Sequence, residues 1–248
     1  MKKFIAKSEE SKKILNIVQV SSNLPVNVVI RGESGVGKKL LAKEILPNAI
    51  SMDGKFLESS IINNSINIDQ YKELIITNIH QVLNKKEFLN NLINIKIVAT
   101  SKTLIHDIEE QFAIKVDISP LEERKEDLDE ISNIYINNAN KIYNSNVSLD
   151  SLDIDISQNG ISLKKSIYKN TLLQSMSEED INTALENFIS KKLDEGSMYK
   201  YFLKVIEIPL LNMAKAKFKS QLQMATKLNL NRITLRKKIE LYFGNNND

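Results

Sequence analysis

The sequence predicts an α/β domain built on a parallel sheet, followed by a small all-α domain. Short apolar segments alternate with helical ones up to about residue 120, a glycine-rich loop follows the first of them, and residues 199–243 are helical and basic. Strands that alternate with helices indicate a parallel sheet covered on both faces. At 248 residues, the chain can form one large domain and one small one.

Apolar periodicity locates the elements of the α/β part in order. It predicts a helix over residues 8–20 and a strand over 25–30, directly before the glycine-rich loop. Residues 40–45 continue from that loop as an amphipathic helix. Buried strands are predicted at 73–77 and 95–100, with a helix at 84–93 between them.

From Leu121 the pattern changes to helices, which we expect to form a separate subdomain. Residues 144–160 form a polar connection within it, and the turn formers and charges of 194–197 mark the clearest boundary. The predicted domains are 1–120, 121–193 and 197–248.

The glycine-rich loop has the residues of a phosphate cradle. Gly32, Gly35 and Gly37 can adopt positive φ and leave room for phosphate, and Lys38 supplies a cation for the outer phosphates. The general motif has Ser or Thr after the lysine to hold Mg²⁺, whereas this chain has Lys39. The predicted nucleotide-binding residues are Gly32, Glu33, Ser34, Gly35, Val36, Gly37, Lys38 and Lys39.

Composition excludes several function classes. The chain has no cysteine, and its two histidines, His80 and His106, lie in unrelated segments. We therefore expect neither disulfides nor a metal site. No apolar run reaches membrane-spanning length and no signal peptide is evident, so we expect a cytoplasmic protein without membrane contacts.

Charge is distributed unevenly along the chain. Residues 199–243 carry ten Lys or Arg against two Glu, a net of +8, which leaves −5 for the remainder of a chain whose total is +3. This asymmetry favours a basic module that binds a polyanion, although a solvated helix surface would give the same count.

The basic segment has the spacing of a helix-turn-helix. Ser220 can cap a short helix over 220–228, Asn229, Leu230 and Asn231 form a turn in which Asn tolerates the left-handed conformation, and a second helix covers 232–243. The residues predicted to face inward are Leu222, Ala225, Leu228, Ile233, Leu235, Ile239 and either Leu241 or Tyr242.

Residues 5–8 and 31–38 together resemble the start of the AAA+ domain of NtrC-type activators of sigma-54 RNA polymerase. The resemblance implies an AAA+ P-loop parallel sheet with a helical lid, and ATP as ligand, with or without Mg²⁺. That family carries an acidic residue after the lysine, so Lys39 departs from it. Residues 120–128 resemble the charged start of the family's lid, although a solvated helix start explains them equally well.

The same resemblance implies that catalytic parts are missing. Thr77 and Asn78 stand where the family has Asp and Glu, and Ser101 and Lys102 stand at a sensor asparagine. No arginine occurs in residues 111–117, the segment that bears arginine fingers in the family. Ile161 occupies the position of the second sensor arginine, with Lys164 or Lys165 as a substitute, and residues 63–70 contain no GAFTGA loop for sigma-54.

Residues 207–238 resemble the Fis-type DNA-binding domain that closes NtrC-type proteins. The resemblance implies a recognition helix in the major groove of double-stranded DNA, a kinked helix at Pro209 and a homodimer formed by the C-terminal domain. Asn231 and Arg232 would reach base edges, and the later residues would mainly contact phosphates. The predicted DNA-binding residues are Ser220, Gln221, Asn231, Arg232, Thr234, Arg236, Lys237 and Lys238.

The leading hypothesis is a DNA-binding transcriptional regulator, and not an enzyme, whose degenerate AAA+ domain binds ATP without efficient hydrolysis. One alternative is an active sigma-54 enhancer-binding ATPase. Another is a nucleotide-independent architectural DNA-binding protein. No receiver-type segment precedes residue 8, so we expect a nucleotide or a protein partner, not phosphorylation, to set its activity.

Overall fold

The computed structural model describes residues 3–195 and 199–244. Its strands are β1 (Val28–Arg31), β2 (Ile50–Asp53), β3 (Glu73–Thr77), β4 (Lys96–Ser101) and β5 (Ile114–Asp117). Its helices are α1 (Glu9–Ser22), α2 (Lys38–Ile45), α3 (Gly54–Ile62), α4 (Lys85–Asn90), α5 (Lys125–Tyr143), α6 (Gly160–Ser175), α7 (Glu178–Asp194), α8 (Tyr199–Lys217), α9 (Gln221–Lys227) and α10 (Arg232–Phe243). None of the helices so described is long and apolar enough to cross a bilayer.

The five strands form one parallel sheet in the order β2-β3-β4-β1-β5. Because parallel strands end at the same edge, the residues that follow β1, β3 and β4 lie together. The predicted α/β fold with a parallel sheet is confirmed. Strand β5 was not predicted, because only Ile114 and Val116 alternate with polar residues in it.

Helices cover both faces of the sheet, and strand residues alternate between two apolar cores. Val28 and Ile30 of β1 lie in one core with residues of α1 and α2, while Val29 lies in the other with Leu57 of α3 and Phe88 of α4. The strands β1, β3 and β4 are buried on both faces, and the residues at their centres are accordingly mostly apolar.

The chain divides into two compact units, Met1–Ser175 and Met176–Asp248. The first contains the sheet and the α5–α6 pair, whose small core includes Leu121, Ile136, Leu163 and Ile167. The division places α7 with the C-terminal helices, whereas the sequence boundary was set at 193–197. The three domain ranges given above stay a prediction.

In the second unit, α8, α9 and α10 enclose a core of Leu211, Ala214, Met224, Ala225 and Leu235. Pro209 lies inside α8, which continues to Lys217. The turn between α9 and α10 contains Asn229 with φ of +51°, which confirms its predicted left-handed conformation.

Two predicted core positions of this unit are wrong, because Leu222 and Ile233 are 59% and 66% exposed. Of the alternatives Leu241 and Tyr242, Leu241 is exposed and Tyr242 packs against the core. A helix turns by about 100° per residue, so residues two apart face opposite sides. Since Met224 and Leu235 point into the core, Leu222 and Ile233 point away from it.

Candidate functional site

The glycine-rich loop joins the carboxyl end of β1 to the first residue of α2. Its glycines have φ of +142° at Gly32, +85° at Gly35 and +109° at Gly37, values that favour glycine over residues with a side chain. A Cβ at Gly32 would lie 2.6 Å from the Ile118 carbonyl oxygen, so the loop also has no room for one there. The geometry is that of an anion-binding loop at a helix N-terminus.

Lys38 begins α2, and its half-buried side chain folds back over the loop. The ammonium donates hydrogen bonds of 2.6 Å to the carbonyl oxygens of Gly32 and Glu33. Burial, followed by repulsion from Lys102, lowers the pKa of Lys38 to about 8, with Glu33 acting in the opposite direction. The amine is still mostly protonated at neutral pH and can attract an anion.

The segment before α6 lies directly on the loop. The Asn159 amide donates to the Glu33 carboxylate at 3.0 Å and to the Ser34 carbonyl at 3.1 Å, and the Gly160 N–H donates to the Gly35 carbonyl at 3.2 Å. Asn159 is buried, and its side-chain oxygen accepts from the Leu121 N–H. The α5–α6 region thus contacts the loop through Asn159. Sequence reasoning gave this residue no role. The Asn-Gly pair at a helix start was the available signal.

A buried ion pair links the loop to the N-terminal segment. Arg124 and Asp127 have side chains that are 1% and 0% exposed and lie 3.0 Å apart. Arg124 also donates to the Val36 carbonyl of the loop at 3.0 Å, while Asp127 accepts from the backbone N–H groups of Lys7 and Ser8. The interpretation of this region as a solvated helix start is therefore wrong for these two residues.

The hydrogen bonds of this ion pair determine its protonation. Burial opposes ionisation of Asp127, but donors from Ser11, Ser8 and Lys7 outweigh it and hold its pKa below the usual value. Burial lowers the pKa of Arg124, and Asp127 counteracts that effect.

Beside the loop lies a mainly apolar cavity of about 280 Å³. Residues from the N-terminal segment, the loop, α5 and α6 line it, among them Phe4, Ile5, Val36, Tyr135 and Tyr168. The Phe4 ring approaches Gly37 so closely that a Cβ there would lie 2.8 Å from it. The cavity adjoins the anion-binding loop and has walls suited to a flat apolar group.

At the end of β3, the structure places Thr77 and Asn78 in structural hydrogen bonds. The Thr77 hydroxyl donates to the Met52 carbonyl at 3.2 Å. Asn78, at φ of +56°, donates from its side chain to the Asp53 carboxylate at 2.9 Å. Asp53 caps α3 through its other oxygen, which accepts from the Lys55 and Phe56 N–H groups.

The end of β4 brings Lys102 and His80 to the same edge of the sheet. Gly32 N–H donates to the Ser101 carbonyl at 3.2 Å, and Lys102 N–H donates to Nδ1 of His80 at 3.3 Å. Burial, then Lys102, Lys38 and Lys85, lower the pKa of His80, so this ring is neutral at pH 7. Sequence reasoning noted Lys102 only as a replacement for an asparagine.

The side chains at the second sensor position and in the segment without arginine make contacts of other kinds. Ile161 is 53% exposed, and Lys164 places its ammonium 5.3 Å from the ring centre of Tyr168 on its own helix. Asp117, in the segment without arginine, pairs with Arg31 at 2.7 Å.

The predicted DNA-binding residues lie along α9 and α10. Ser220 and Asn231 act as helix caps, accepting from the N–H groups of Gln223 and Ile233. Arg236 is exposed and pairs with Glu240 at 2.8 Å. The remaining exposed members of the set are Gln221, Arg232, Thr234 and Lys237.

Lys238, another predicted DNA-binding residue, is partly buried and forms an ion pair within this unit. Its ammonium lies 2.6 Å from a Glu207 carboxylate oxygen, and the side chain is only 31% exposed. The Tyr242 hydroxyl donates to the other oxygen of Glu207. Lys238 therefore packs α10 against α8.

Residues 4–68 match the family model for the Sigma-54 interaction domain. The match covers the N-terminal segment, the loop and the first two strands. No curated protein matches the chain.

Solved structures of two other proteins share the fold of this chain. NtrX from Brucella abortus, crystallised in complex with ATP, is 12% identical, with a TM-score of 0.52 over 97% of this chain and 69% of NtrX. Domain III of the replication initiation protein DnaA from Thermotoga maritima is 16% identical, with a TM-score of 0.50 over 75% of this chain and 95% of that domain. At these identities the structural similarity shows a shared fold, and the similarity to the Sigma-54 interaction domain lies in residues 4–68.

Proposed function

We propose that this chain is a DNA-binding transcriptional regulator whose AAA+ domain binds ATP and does not hydrolyse it efficiently. The observation that carries the proposal is the loop itself, in which three glycines with positive φ precede Lys38 at the start of α2. Backbone N–H groups and one ammonium provide most of what a phosphate-binding loop needs.

The apolar cavity beside the loop supports a nucleotide over a simple phosphate. Phe4, Val36 and Tyr135 offer apolar and aromatic surface to a base, next to a loop that suits phosphates. NtrX, which shares the fold, was crystallised with ATP and with ADP. We assign the cavity to the adenosine part of the ligand.

The contacts of Thr77 and Asn78 support the proposal that ATP hydrolysis is inefficient. Neither side chain can accept a proton from an attacking water, and both are engaged by neighbouring groups. Asp53 is the adjacent carboxylate, but it caps α3 and accepts from Asn78. Loss of one positioning or electrostatic group already costs orders of magnitude in rate.

The C-terminal unit supports DNA binding. Its helices α9 and α10, joined by residues 228–231, have the spacing of a helix-turn-helix, and Arg232, Arg236 and Lys237 are exposed on α10. The apolar residues Tyr199, Ile206, Leu210 and Met213 of α8 are exposed, which suits the proposed homodimer.

Calorimetric titration of ATP into the full chain tests the nucleotide part. We expect saturable binding that Lys38→Ala abolishes and that Lys169→Ala retains, because Lys169 is exposed on α6, nine residues beyond Gly160. Absence of binding to the wild type would contradict the proposal. Phosphate release well above the Lys38→Ala background would instead identify an active ATPase.

Selection from a randomised duplex pool, followed by fluorescence anisotropy, tests the DNA part. We expect the selected duplex to bind more tightly than a scrambled one. If the Arg232 side chain reaches a base edge, Arg232→Ala should lower the affinity for the selected duplex by about tenfold or more. Equal affinity for all duplexes would contradict a sequence-specific regulator and favour the architectural alternative.

A further inference from the structure

The carboxyl edge of the sheet carries a second lysine beside the phosphate loop. Lys102 directly follows Ser101, whose carbonyl oxygen accepts a hydrogen bond from the first glycine of the loop, Gly32. The Lys102 backbone in turn contacts His80, which follows β3. The Lys102 side chain is exposed, and no carboxylate in residues 3–195 or 199–244 forms an ion pair with it.

The oxygen ligands that Mg²⁺ requires are not assembled at this edge. Magnesium in nucleotide sites takes a hydroxyl after the loop lysine and a carboxylate from a neighbouring strand. Here Lys39 replaces the hydroxyl, and the Thr77 hydroxyl is bonded to the Met52 carbonyl. In the described part of the chain, no three His, Asp or Glu side chains are grouped to hold a metal ion.

Asp53 and Glu33, the carboxylates at this edge, are already engaged. Asp53 accepts from the Asn78 amide and caps α3, and Glu33 accepts from the Asn159 amide. A divalent cation would also meet the positive charges of Lys38 and Lys102. The residues present therefore do not fit magnesium.

A polyphosphate without bound magnesium fits the same edge better. Burial lowers the pKa of Lys38, and the positive charge of Lys102 lowers it further. A polyphosphate placed between Lys38 and Lys102 would relieve their repulsion, whereas a magnesium-bound polyphosphate would bring much of its charge already neutralised.

We propose that the site takes a nucleoside triphosphate as the metal-free anion, with Lys102 supplying the second positive charge in place of magnesium. This inference rests on the proposed nucleotide-binding function. It makes Lys102 a specificity-determining residue that selects the free polyphosphate over its magnesium complex.

Calorimetric titration of ATP in EDTA and in excess MgCl₂ tests the inference on the full chain. We expect the wild type to bind at least as tightly in EDTA as in MgCl₂. Lys102→Met should weaken binding in EDTA by about tenfold or more, because a charge-assisted hydrogen bond to phosphate is lost. Lys102→Arg should retain the affinity, and Lys169→Met, which removes one exposed charge from α6, should leave it unchanged.

The outcomes separate this inference from the function on which it rests. Binding that requires MgCl₂ would overturn the metal-free site and leave nucleotide binding intact. Full affinity of Lys102→Met in EDTA would overturn the role of Lys102 as the second positive charge and leave nucleotide binding intact. Absence of wild-type binding in both buffers would overturn both proposals.

Discussion

Asp127 holds the N-terminal segment to the phosphate loop, and its replacement by asparagine should destabilise the first unit severely. The carboxylate accepts from Lys7 N–H, Ser8 N–H and the hydroxyls of Ser8 and Ser11, and it pairs with Arg124. Asparagine keeps the shape but replaces one acceptor oxygen with a donor. Some of the five donors then face another donor, and the buried guanidinium loses its counter-charge.

The cost can be estimated from burial. Because both side chains are at most 1% exposed, solvent cannot compensate Arg124 once the carboxylate charge is gone. Breaking a buried ion pair by removing one partner costs about 3–5 kcal/mol. At about 1.4 kcal/mol per factor of ten, the unfolded population of this unit should rise by roughly 10²–10⁴.

Hydrogen exchange measures this unit separately from the second. Amides of β1 and β4, in the middle of the sheet, exchange through unfolding of the unit, and their rates should rise by the same factor. Asp129→Asn is the matched control, since Asp129 is exposed on the same helix, and it should change stability by no more than about 0.5 kcal/mol.

The double variant Arg124→Met with Asp127→Asn tests whether the uncompensated charge of Arg124 causes the loss of stability. It removes the uncompensated charge and should be at least as stable as Asp127→Asn alone. A single-variant cost below about 1 kcal/mol, or a double variant less stable than Asp127→Asn, would refute the reasoning from buried charge.

Three further predictions concern the loop and the C-terminal unit. ATP affinity should fall as pH rises through about 8, since phosphate favours protonated Lys38 and the free site must then take up a proton; calorimetry measures this, and an affinity that is flat or rises there would contradict it. Gly35→Ala should weaken ATP binding and speed exchange at residues 158–160, because its Cβ would lie 2.2 Å from the Gln158 carbonyl oxygen; unchanged affinity and exchange would count against the loop geometry. Leu235→Ala, at a fully buried position, should cost about 2–5 kcal/mol and abolish DNA binding while ATP affinity stays the same, whereas exposed Leu241→Ala should do neither; parallel thermal and anisotropy titrations decide it.

Local chemistry made much of the fold predictable. Apolar runs located strands β1, β3 and β4, because strands buried on both faces carry few polar residues. The conformation of the glycine-rich loop was equally predictable, since Gly32, Gly35 and Gly37 lie close together in the chain and their positive φ is a property of the local backbone.

The burial of individual helix residues was less predictable, because it depends on which face of the helix packs against the core. Leu222 and Ile233 are apolar yet exposed, because α9 and α10 are short and each contributes only one narrow face to the core. Lys238 was predicted to contact DNA. Its hydrogen bond to Glu207, which lies 31 residues earlier, could not be predicted from local pattern.

Residues that are neighbours in the chain were enough to predict the parallel α/β domain, the glycine-rich loop and the basic helical end, because each of these features depends on local pattern. The packing of distant segments was needed to show that Arg124 and Asp127 form a buried pair, that Asn159 lies on the loop, and that Lys102 lies at the same edge as Lys38. Arg124 and Asp127 are only three residues apart, but it is their contacts with Ser8 and Val36, far away in the chain, that bury them. Asn159 and the loop are likewise distant in sequence, and the neighbouring positions of β1 and β4 in the sheet bring Lys102 to the edge that carries Lys38.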